Sequence, residues 1–157
     1  MLNTIASLLK QKNDPKLISI APSASVADAV RAMNDNKVGS VLVMDRQTLV
    51  GIFTERDVLV RVVGAMRDPA ATPVSEVMTT PVRNVEPGTT ADEALRLMSD
   101  RRHRHLPVLE NGKVIGLISM GDITRAYIRS QQEQVDTALR AVKQMAMSNR
   151  RGPARDR

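Results

Sequence analysis

The hydrophobic and polar positions of the chain follow one pattern that occurs twice. In each occurrence a short apolar stretch precedes apolar residues at helical spacing, and two apolar runs separated by a turn come next. A second helical stretch closes the unit. The pattern predicts two units of strand–helix–strand–strand–helix, with strands at 18–20, 38–44 and 49–53 in the first and at 82–85, 105–109 and 114–118 in the second.

The two units are copies of one another. Shifting the sequence by 65 residues aligns 20–60 with 85–125 without a gap. The identical pairs include Pro22/Pro87, Ala29/Ala94, Arg31/Arg96, Met33/Met98, Asp35/Asp100, Val43/Val108, Gly51/Gly116 and Asp57/Asp122. So many identities at one offset, with the apolar positions also in phase, indicate a tandem duplication. The predicted fold class is α/β (α+β).

Local signals support the element boundaries. Ser25-x-x-Asp28 and Thr90-x-x-Glu93 match the capping box, in which a hydroxyl and an acid satisfy free amides at a helix start. Asn111-Gly112 lies between two apolar runs and is typical of a hairpin turn, because both residues tolerate positive φ. We therefore expect a helix after each cap and a hairpin at 111–112.

The chain divides by these signals into six segments. They are an N-terminal helix at 1–15, a first repeat at 16–66, a connector at 67–73, a second repeat at 74–128, a helical extension at 129–147 and a basic, disordered tail at 148–157. The extension continues the last helix of the second repeat, which we expect to run from 122 to about 147. Its apolar stripe consists of Val135, Ala138, Leu139, Val142, Met145 and Ala146. The stripe either folds back over the first repeat or contacts a second copy of the chain.

Composition excludes several classes of chemistry. The 157 residues contain no cysteine, which excludes disulfides, thiol catalysis and cysteine-ligated zinc. The net charge is +6, and the segment from Lys143 to Arg157 carries five bases and one acid, or +4 of that total. His103 and His105 are the only histidines, and they cannot hold a metal ion without other ligands. We expect no metal requirement and no enzymatic activity.

Nothing in the sequence indicates a membrane or secreted protein. No apolar run approaches the ~20 residues of a membrane span. The N-terminus lacks the cationic start and apolar stretch of a secretory signal. We expect a cytoplasmic protein.

One motif closes the strand pair of each copy. It reads Gly51-Ile52-Phe53-Thr54-Glu55-Arg56-Asp57 in the first and Gly116-Leu117-Ile118-Ser119-Met120-Gly121-Asp122 in the second. A hydroxyl three residues before an acid is itself a capping box. A helix start after a strand also favours phosphate, and a carboxylate there matches the two hydroxyls of a ribose. Both interpretations stay open at this point.

A cationic cluster distinguishes the second copy. Arg101, Arg102, His103, Arg104 and His105 lie where a helix ends and a strand begins. Their positive charges would interact favourably with the helix dipole or would be solvated. An arginine there could also bind a phosphate through a bidentate guanidinium contact. At the positions of Arg104 and His105 the first copy has the neutral pair Gly39-Ser40. If both copies bind ligands, we expect the second to prefer more phosphate charge.

Taken together, these motifs resemble the CBS domain, named after cystathionine β-synthase. The resemblance rests on the His105-Leu106-Pro107-Val108 strand, the two Gly-h-h-[Ser/Thr]-x-x-Asp ends and the segment Val77-Met78-Thr79-Thr80-Pro81-Val82. It covers about 16–63 and 74–128. The chain looks like a stand-alone, bacterial-type pair of CBS domains (a Bateman module).

The resemblance implies a non-catalytic regulatory module. Its two repeats would pack with pseudo-twofold symmetry, and two modules would form a homodimer that signals to a regulated partner protein. The implied ligands are adenosyl nucleotides: AMP first, with ADP, ATP, NAD or S-adenosylmethionine as alternatives. A nucleic-acid-binding protein using the basic tail and the arginine cluster is another hypothesis, and a ligand-independent dimerisation scaffold is a third.

The same resemblance implies two sets of binding residues. In the first repeat they are Ile18, Val38, Gly39, Ser40, Thr54, Arg56 and Asp57. In the second they are Thr79, Arg83, His103, Arg104, His105, Pro107, Ser119 and Asp122. The two aspartates would bind ribose hydroxyls, and Thr54 and Ser119 would contact ribose or phosphate.

Overall fold

A computed structural model describes residues 4–12, 17–101 and 103–149. The chain divides into two compact units, Met1–Met120 and Gly121–Arg157. The first unit contains the strands of both repeats, and the second contains nearly all of the last helix. The predicted mixed α/β fold of two tandem repeats with a long C-terminal helix is confirmed.

The first repeat folds as its pattern predicts. Its elements are β1 (Ser19–Ile20), α2 (Val26–Asn36), β2 (Ser40–Asp45), β3 (Thr48–Thr54), α3 (Glu55–Asp57) and a π-helical continuation (Val58–Val63). The strands form one sheet in the order β1-β2-β3, with β1 parallel and β3 antiparallel to β2. Helix α2 begins where the Ser25 side chain accepts from the Asp28 amide, as the capping box predicts, and ends at Lys37, which has positive φ.

The second repeat forms α4 (Ala91–Arg101), β4 (His105–Glu110) and β5 (Lys113–Ser119), and α5 (Met120–Asn149) follows. Strands β4 and β5 pair antiparallel. Asn111 and Gly112 join them with φ of 51° and 77°, so the predicted hairpin is confirmed.

The strand predicted at 82–85 does not form. Only Val85 pairs with β4: its amide donates to Pro107 O at 3.0 Å, and its carbonyl accepts from Leu109 N at 2.9 Å. In the first repeat the Leu42 amide also donates to Ile18 O at 2.9 Å. Pro107 stands at the position of Leu42 and has no N–H to donate, so the second sheet lacks its third strand.

Each repeat is completed by a segment that lies outside it in sequence. Helix α1 (Ile5–Lys10) lies against the second repeat, where the Ile5 amide donates to Thr89 O at 2.8 Å and Lys12 Nζ donates to Leu117 O at 2.8 Å. Residues 69–79 lie against the first repeat, where the Val26 amide donates to Thr72 O at 2.9 Å. The segment interpreted as a connector is therefore also part of the first repeat's structure.

The core of the first repeat includes this segment. Its buried members are Val26, Ala29, Met33, Val41, Val43, Phe53, Val62, Val74 and Val77. Val74 and Val77 come from the short 3-10 helix at Val74–Glu76 and its end. Burying two valines releases roughly 3–6 kcal/mol of apolar transfer free energy, which holds the segment in place.

Helix α5 has 30 residues and is therefore about 45 Å long. All six residues of its predicted apolar stripe are exposed in the single chain, with Val142 at 63% and Met145 at 72%. Among the described residues, no helix combines the length and apolar character that crossing a bilayer requires. Of the tail predicted at 148–157, residues 150–157 lie outside the described ranges.

Candidate functional site

The first repeat places an acid and a hydroxyl together where β3 meets α3. Thr54 has extended backbone angles and caps the helix: its Oγ1 accepts from the Asp57 amide at 3.4 Å. In return, Asp57 Oδ2 accepts from Thr54 N at 2.9 Å and from Thr54 Oγ1 at 2.8 Å. The predicted capping box at Thr54 and Asp57 is confirmed.

Asp57 is buried, with 8% of its side chain exposed. It is the one buried acidic residue in the part of the chain that the structure describes. A buried carboxylate needs hydrogen-bond or ionic partners, because desolvation otherwise makes its charged form costly. The partners of its second oxygen therefore decide what else Asp57 can bind.

Thr79 supplies one of those partners. Its Oγ1 donates to Asp57 Oδ1 at 3.0 Å, and its backbone pairs with Ile52 through bonds of 2.8 and 3.1 Å. We expected Thr79 among the binding residues of the second repeat, and in the structure its hydroxyl contacts the aspartate of the first repeat. The residue lies beside the first repeat's aspartate because its segment packs against β3.

Arg61 is a site residue that sequence reasoning missed. Its Nε lies 3.7 Å from Asp57 Oδ1, and its Nη1 donates to Met78 O at 2.5 Å and to Val77 O at 3.2 Å. The available signal was its position four residues after Asp57, the spacing at which helical side chains meet. Arg61 thus joins the aspartate to the same segment that carries Thr79.

The remaining first-repeat residues lie on the neighbouring strands. Ser40 is buried and pairs with Thr54 across β2 and β3, and Gly39 O accepts from Glu55 N at 3.1 Å. Ile18 and Val38 pack their side chains against the core, which leaves their backbones for any polar contact. The side chain of Arg56 is exposed.

Glu55 is a second residue that sequence reasoning missed. A Cβ built on Gly39 would lie 3.3 Å from Glu55 Oε2, so the carboxylate lies directly against this glycine. A larger residue at position 39 would displace it. The first repeat therefore presents a carboxylate where the second has no acid.

The second repeat repeats the backbone geometry with different side chains. Arg104 O accepts from Met120 N at 2.9 Å, as Gly39 O accepts from Glu55 N, and His105 pairs with Ser119 across β4 and β5. Arg104 and Arg83 are exposed, His103 is half-buried and Pro107 is buried. Asp122 lies in the second compact unit, where its Oδ1 accepts from Arg125 Nη2 at 2.5 Å.

The cationic cluster is only partly described. Arg102 and the side chain of Arg101 lie outside the described residues. Within the described ranges, no group of three or more histidine, cysteine or acidic side chains could hold a metal ion.

Comparison with known proteins identifies the repeats. The sequence model of the CBS domain matches residues 12–64 and 74–129. The mitochondrial CBS domain-containing protein CBSX3 of Arabidopsis thaliana is 34% identical over 140 residues, which cover 84% of this chain and 68% of that protein.

Solved structures of CBS-domain proteins are also similar to this chain. A candidate signal-transduction protein with CBS domains from Burkholderia ambifaria is 43% identical, with a TM-score of 0.80 over 82% of this chain and 96% of that one. A hexameric CBS-CP12 protein from bloom-forming cyanobacteria is 28% identical, with a TM-score of 0.70 over 90% of this chain and 88% of that one.

Members of this family are generally regulatory modules, and CBS domains as a class bind adenosyl ligands. The two matches cover both copies of the internal repeat and leave residues 1–11, 65–73 and 130–157 outside. This chain therefore belongs to the CBS-domain family, as a tandem pair of CBS domains.

Proposed function

We propose that this chain is a non-catalytic sensor of adenosyl nucleotides, with AMP as the first ligand to test. The nucleotides would bind in clefts between the two repeats, 16–66 and 74–128, and each repeat would supply one set of binding residues. Ligand binding would shift the population of conformations of a homodimer, and a regulated protein would respond to that shift.

The observation that carries the proposal is the buried carboxylate of Asp57. It lies just after β3 beside the hydroxyl of Thr54, and the adjacent strand begins at Ser40, directly after Gly39. A carboxylate can accept both hydroxyls of a vicinal diol, such as that of a ribose. The backbones of Ile18 and Val38 and the exposed Arg56 complete the proposed first site.

The second site is proposed from the matching positions of the second repeat. It would use Arg83, His103, Arg104, His105, Pro107, Ser119 and Asp122. Arg104 stands where the first repeat has Gly39, and a guanidinium is well suited to phosphate. We propose that this site takes the more highly charged ligand, ATP or ADP, while the first takes AMP. NAD and S-adenosylmethionine are the other adenosyl ligands to test.

Thermal unfolding in the presence of each ligand tests this proposal. A ligand at 100 times its dissociation constant should stabilise the fold by about 2.7 kcal/mol, which gives a visible shift in Tm. We expect a dose-dependent shift with an adenosyl ligand and none with guanosine nucleotides. No shift with any of them, in protein shown by mass spectrometry to carry no nucleotide, would favour the scaffold hypothesis.

A pair of variants then assigns the first site. Asp57→Asn preserves the size of the side chain but removes the charge, and it should weaken AMP binding measured by calorimetry. Asp35→Asn removes an exposed acid of α2 and should leave binding unchanged. Equal affinity in all three proteins would rule out Asp57 as the ribose ligand.

We propose further that α5 forms part of the homodimer contact, with a second copy of the chain as its occupant. Ile128, Val135 and Val142 recur every seven residues, and Ala138 and Met145 each follow three residues after the second and third of them. This is the spacing of helices that pack against like helices. The charged residues of this stretch lie on the other side of the helix: Arg129, Glu133, Asp136, Arg140 and Lys143.

Sedimentation across a range of concentrations tests the contact. Leu139→Glu and Val142→Glu should reduce the mass to that of a monomer, because a buried charge opposes the interface. Gln144→Glu, on the polar side, should leave the mass unchanged. A wild-type protein that is monomeric at all concentrations would refute the homodimer.

A further inference from the structure

The hydrogen bonds of Asp57 limit what it can accept. A carboxylate offers about four lone-pair positions. Three are in use: Oδ2 accepts from the amide and the hydroxyl of Thr54, and Oδ1 accepts from the hydroxyl of Thr79. One position is left, whereas a vicinal diol brings two donors. One existing partner must therefore leave before Asp57 can bind a ribose through both hydroxyls.

Thr79 is the partner most easily released. The Thr54 hydroxyl is held twice, since it donates to Asp57 Oδ2 at 2.8 Å and accepts from Asp57 N at 3.4 Å. The Thr79 hydroxyl has a single contact with Asp57, at 3.0 Å, and reaches it from 22 residues away. Displacing Thr79 leaves the helix cap intact, and displacing Thr54 breaks it.

We infer that Thr79 is an internal competitor for the ribose position of Asp57, so that ligand binding displaces its hydroxyl. This inference rests on the proposed function of the first site. The 8% exposure of the Asp57 side chain fits it, because the carboxylate is covered while Thr79 is in place. Thr79 is thereby a positioning residue that sets the affinity of the site.

The displaced group belongs to the segment that begins the second repeat. Thr79 and Met78 lie near the start of that repeat, and Arg61 holds the carbonyls of Val77 and Met78 while its Nε lies 3.7 Å from Asp57 Oδ1. A diol at Oδ1 thus competes with one anchor of this segment and lies beside a second. Since coupling between two equilibria is reciprocal, whatever loosens the segment also favours the ligand.

Thr79→Val tests the competition because it keeps the shape of the side chain and removes the hydroxyl. Calorimetry should show AMP binding about tenfold more tightly, the effect of one lost hydrogen bond to a charged group. The control Thr79→Ser keeps the hydroxyl and should bind as the wild type does. If Thr79→Val does not fold, Thr79→Ala serves in its place.

A ligand with one hydroxyl sharpens the test. Replacing AMP with 2′-deoxy-AMP removes one donor, and the remaining hydroxyl fits the one unused position of Asp57. The gain from Thr79→Val should therefore be smaller for 2′-deoxy-AMP than for AMP. In the wild type, AMP should also speed hydrogen exchange of the Thr79 amide, and this effect should disappear in Thr79→Val.

The outcomes separate this inference from the proposed function. AMP binding that depends on Asp57 but is unchanged or weakened in Thr79→Val would overturn the competition and leave the sensor proposal standing. If AMP does not change the exchange rate of the Thr79 amide, the proposed link between ligand binding and the start of the second repeat is wrong. No binding of any adenosyl ligand to any of these proteins would overturn both.

Discussion

The two repeats share a pattern of residues but not a complete structure. The first forms a three-stranded sheet, and the second forms a two-stranded one with a single bridge at Val85. The difference comes from one position, where Leu42 has an amide to donate and Pro107 has none. Duplication therefore preserves the order of elements more strictly than the pairing of each strand.

A second difference lies beside the proposed sites. The carbonyl of residue 39 or 104 accepts from the amide of residue 55 or 120 in both repeats. The side chains at these matched positions are Gly39 and Glu55 in one repeat and Arg104 and Met120 in the other. The backbone hydrogen bond is thus the same in both repeats, but the side chains beside it have opposite charges. This is why we propose different ligands for the two sites.

Leu42→Pro should have the largest effect on stability, because it places in the first repeat the proline that the second repeat has at the matched position. It removes the bond from Leu42 N to Ile18 O and a buried side chain in the central strand. We expect the free energy of unfolding to fall by about 2–5 kcal/mol, the range for loss of a buried leucine side chain, because the ladder hydrogen bond is lost as well. Urea denaturation measures it, and Leu42→Ala separates the side-chain part from the amide part. Equal losses in the two variants would show that the amide is unimportant.

Gly51→Ala and Gly116→Ala test whether a segment from outside each repeat packs against the matched glycine in both repeats. A Cβ at Gly51 would lie 2.2 Å from Met78 Sδ, and one at Gly116 would lie 2.7 Å from Leu9 Cδ1. We expect each change to cost about 1–3 kcal/mol by overpacking, with the larger loss at Gly51.

Two controls accompany these glycine variants. Shortening the facing side chain, in Gly51→Ala/Met78→Ala or Gly116→Ala/Leu9→Ala, should reduce the additional cost of the alanine in a double-mutant cycle. Gly88→Ala has no atom within 4 Å of its new Cβ and should leave stability nearly unchanged. Independent, additive losses would contradict the packing of the two segments on the two glycines.

Pro107→Leu makes the opposite exchange and should have a smaller effect. It supplies an amide that can donate to Arg83 O, which is worth about 0.5–1.5 kcal/mol. The gain is offset by about 0.4–1 kcal/mol, because a leucine has more freedom than a proline in the unfolded chain. Hydrogen exchange is the decisive measurement: the new amide should be protected. Rapid exchange there would show that another feature prevents the third strand.

The smallest effect concerns the cap of α2. Hydrogen bonding to Ser25, with a further contribution from the Arg31 guanidinium, lowers the pKa of Asp28 below its ordinary value of 3.8. A pKa that is lower in the folded state stabilises the fold above the unfolded value, and this part is lost as pH falls through the folded value. Asp28→Asn and Ser25→Ala should each weaken this acid dependence, measured as unfolding against pH between about 5 and 2. An unchanged profile in both variants would contradict it.

Sequence reasoning succeeded where the decisive contacts are local. The helix cap at Ser25 and the capping box at Thr54 span three residues, and the hairpin at Asn111-Gly112 depends on two. Such features depend on the chain's own backbone geometry, so spacing and residue type predict them. The repeat itself is a property of the sequence alone.

Sequence reasoning failed where the contacting residues are far apart in the chain, and where strand pairing depends on a backbone N–H that one residue lacks. The hydrogen bond from Thr79 to Asp57 was not predicted, because the two residues are 22 positions apart in the chain. Arg61 and Glu55 were missed because a charged residue on a helix surface is usually solvated. The strand predicted at 82–85 had suitable apolar residues, but its pairing depended on an amide that Pro107 lacks.

The sequence by itself determined the duplication, the order of strands and helices, and the position of an acid and a hydroxyl at the end of each strand pair. Only the tertiary structure decided which segment closes each repeat and what surrounds Asp57. Periodicity and helix caps depend on residues that are close together in the chain. The packing of Met78 against Gly51 and the hydrogen bond from Thr79 to Asp57 depend instead on burial of the 74–77 segment in the first repeat's core. That burial brings residues from outside the repeat to its carboxylate.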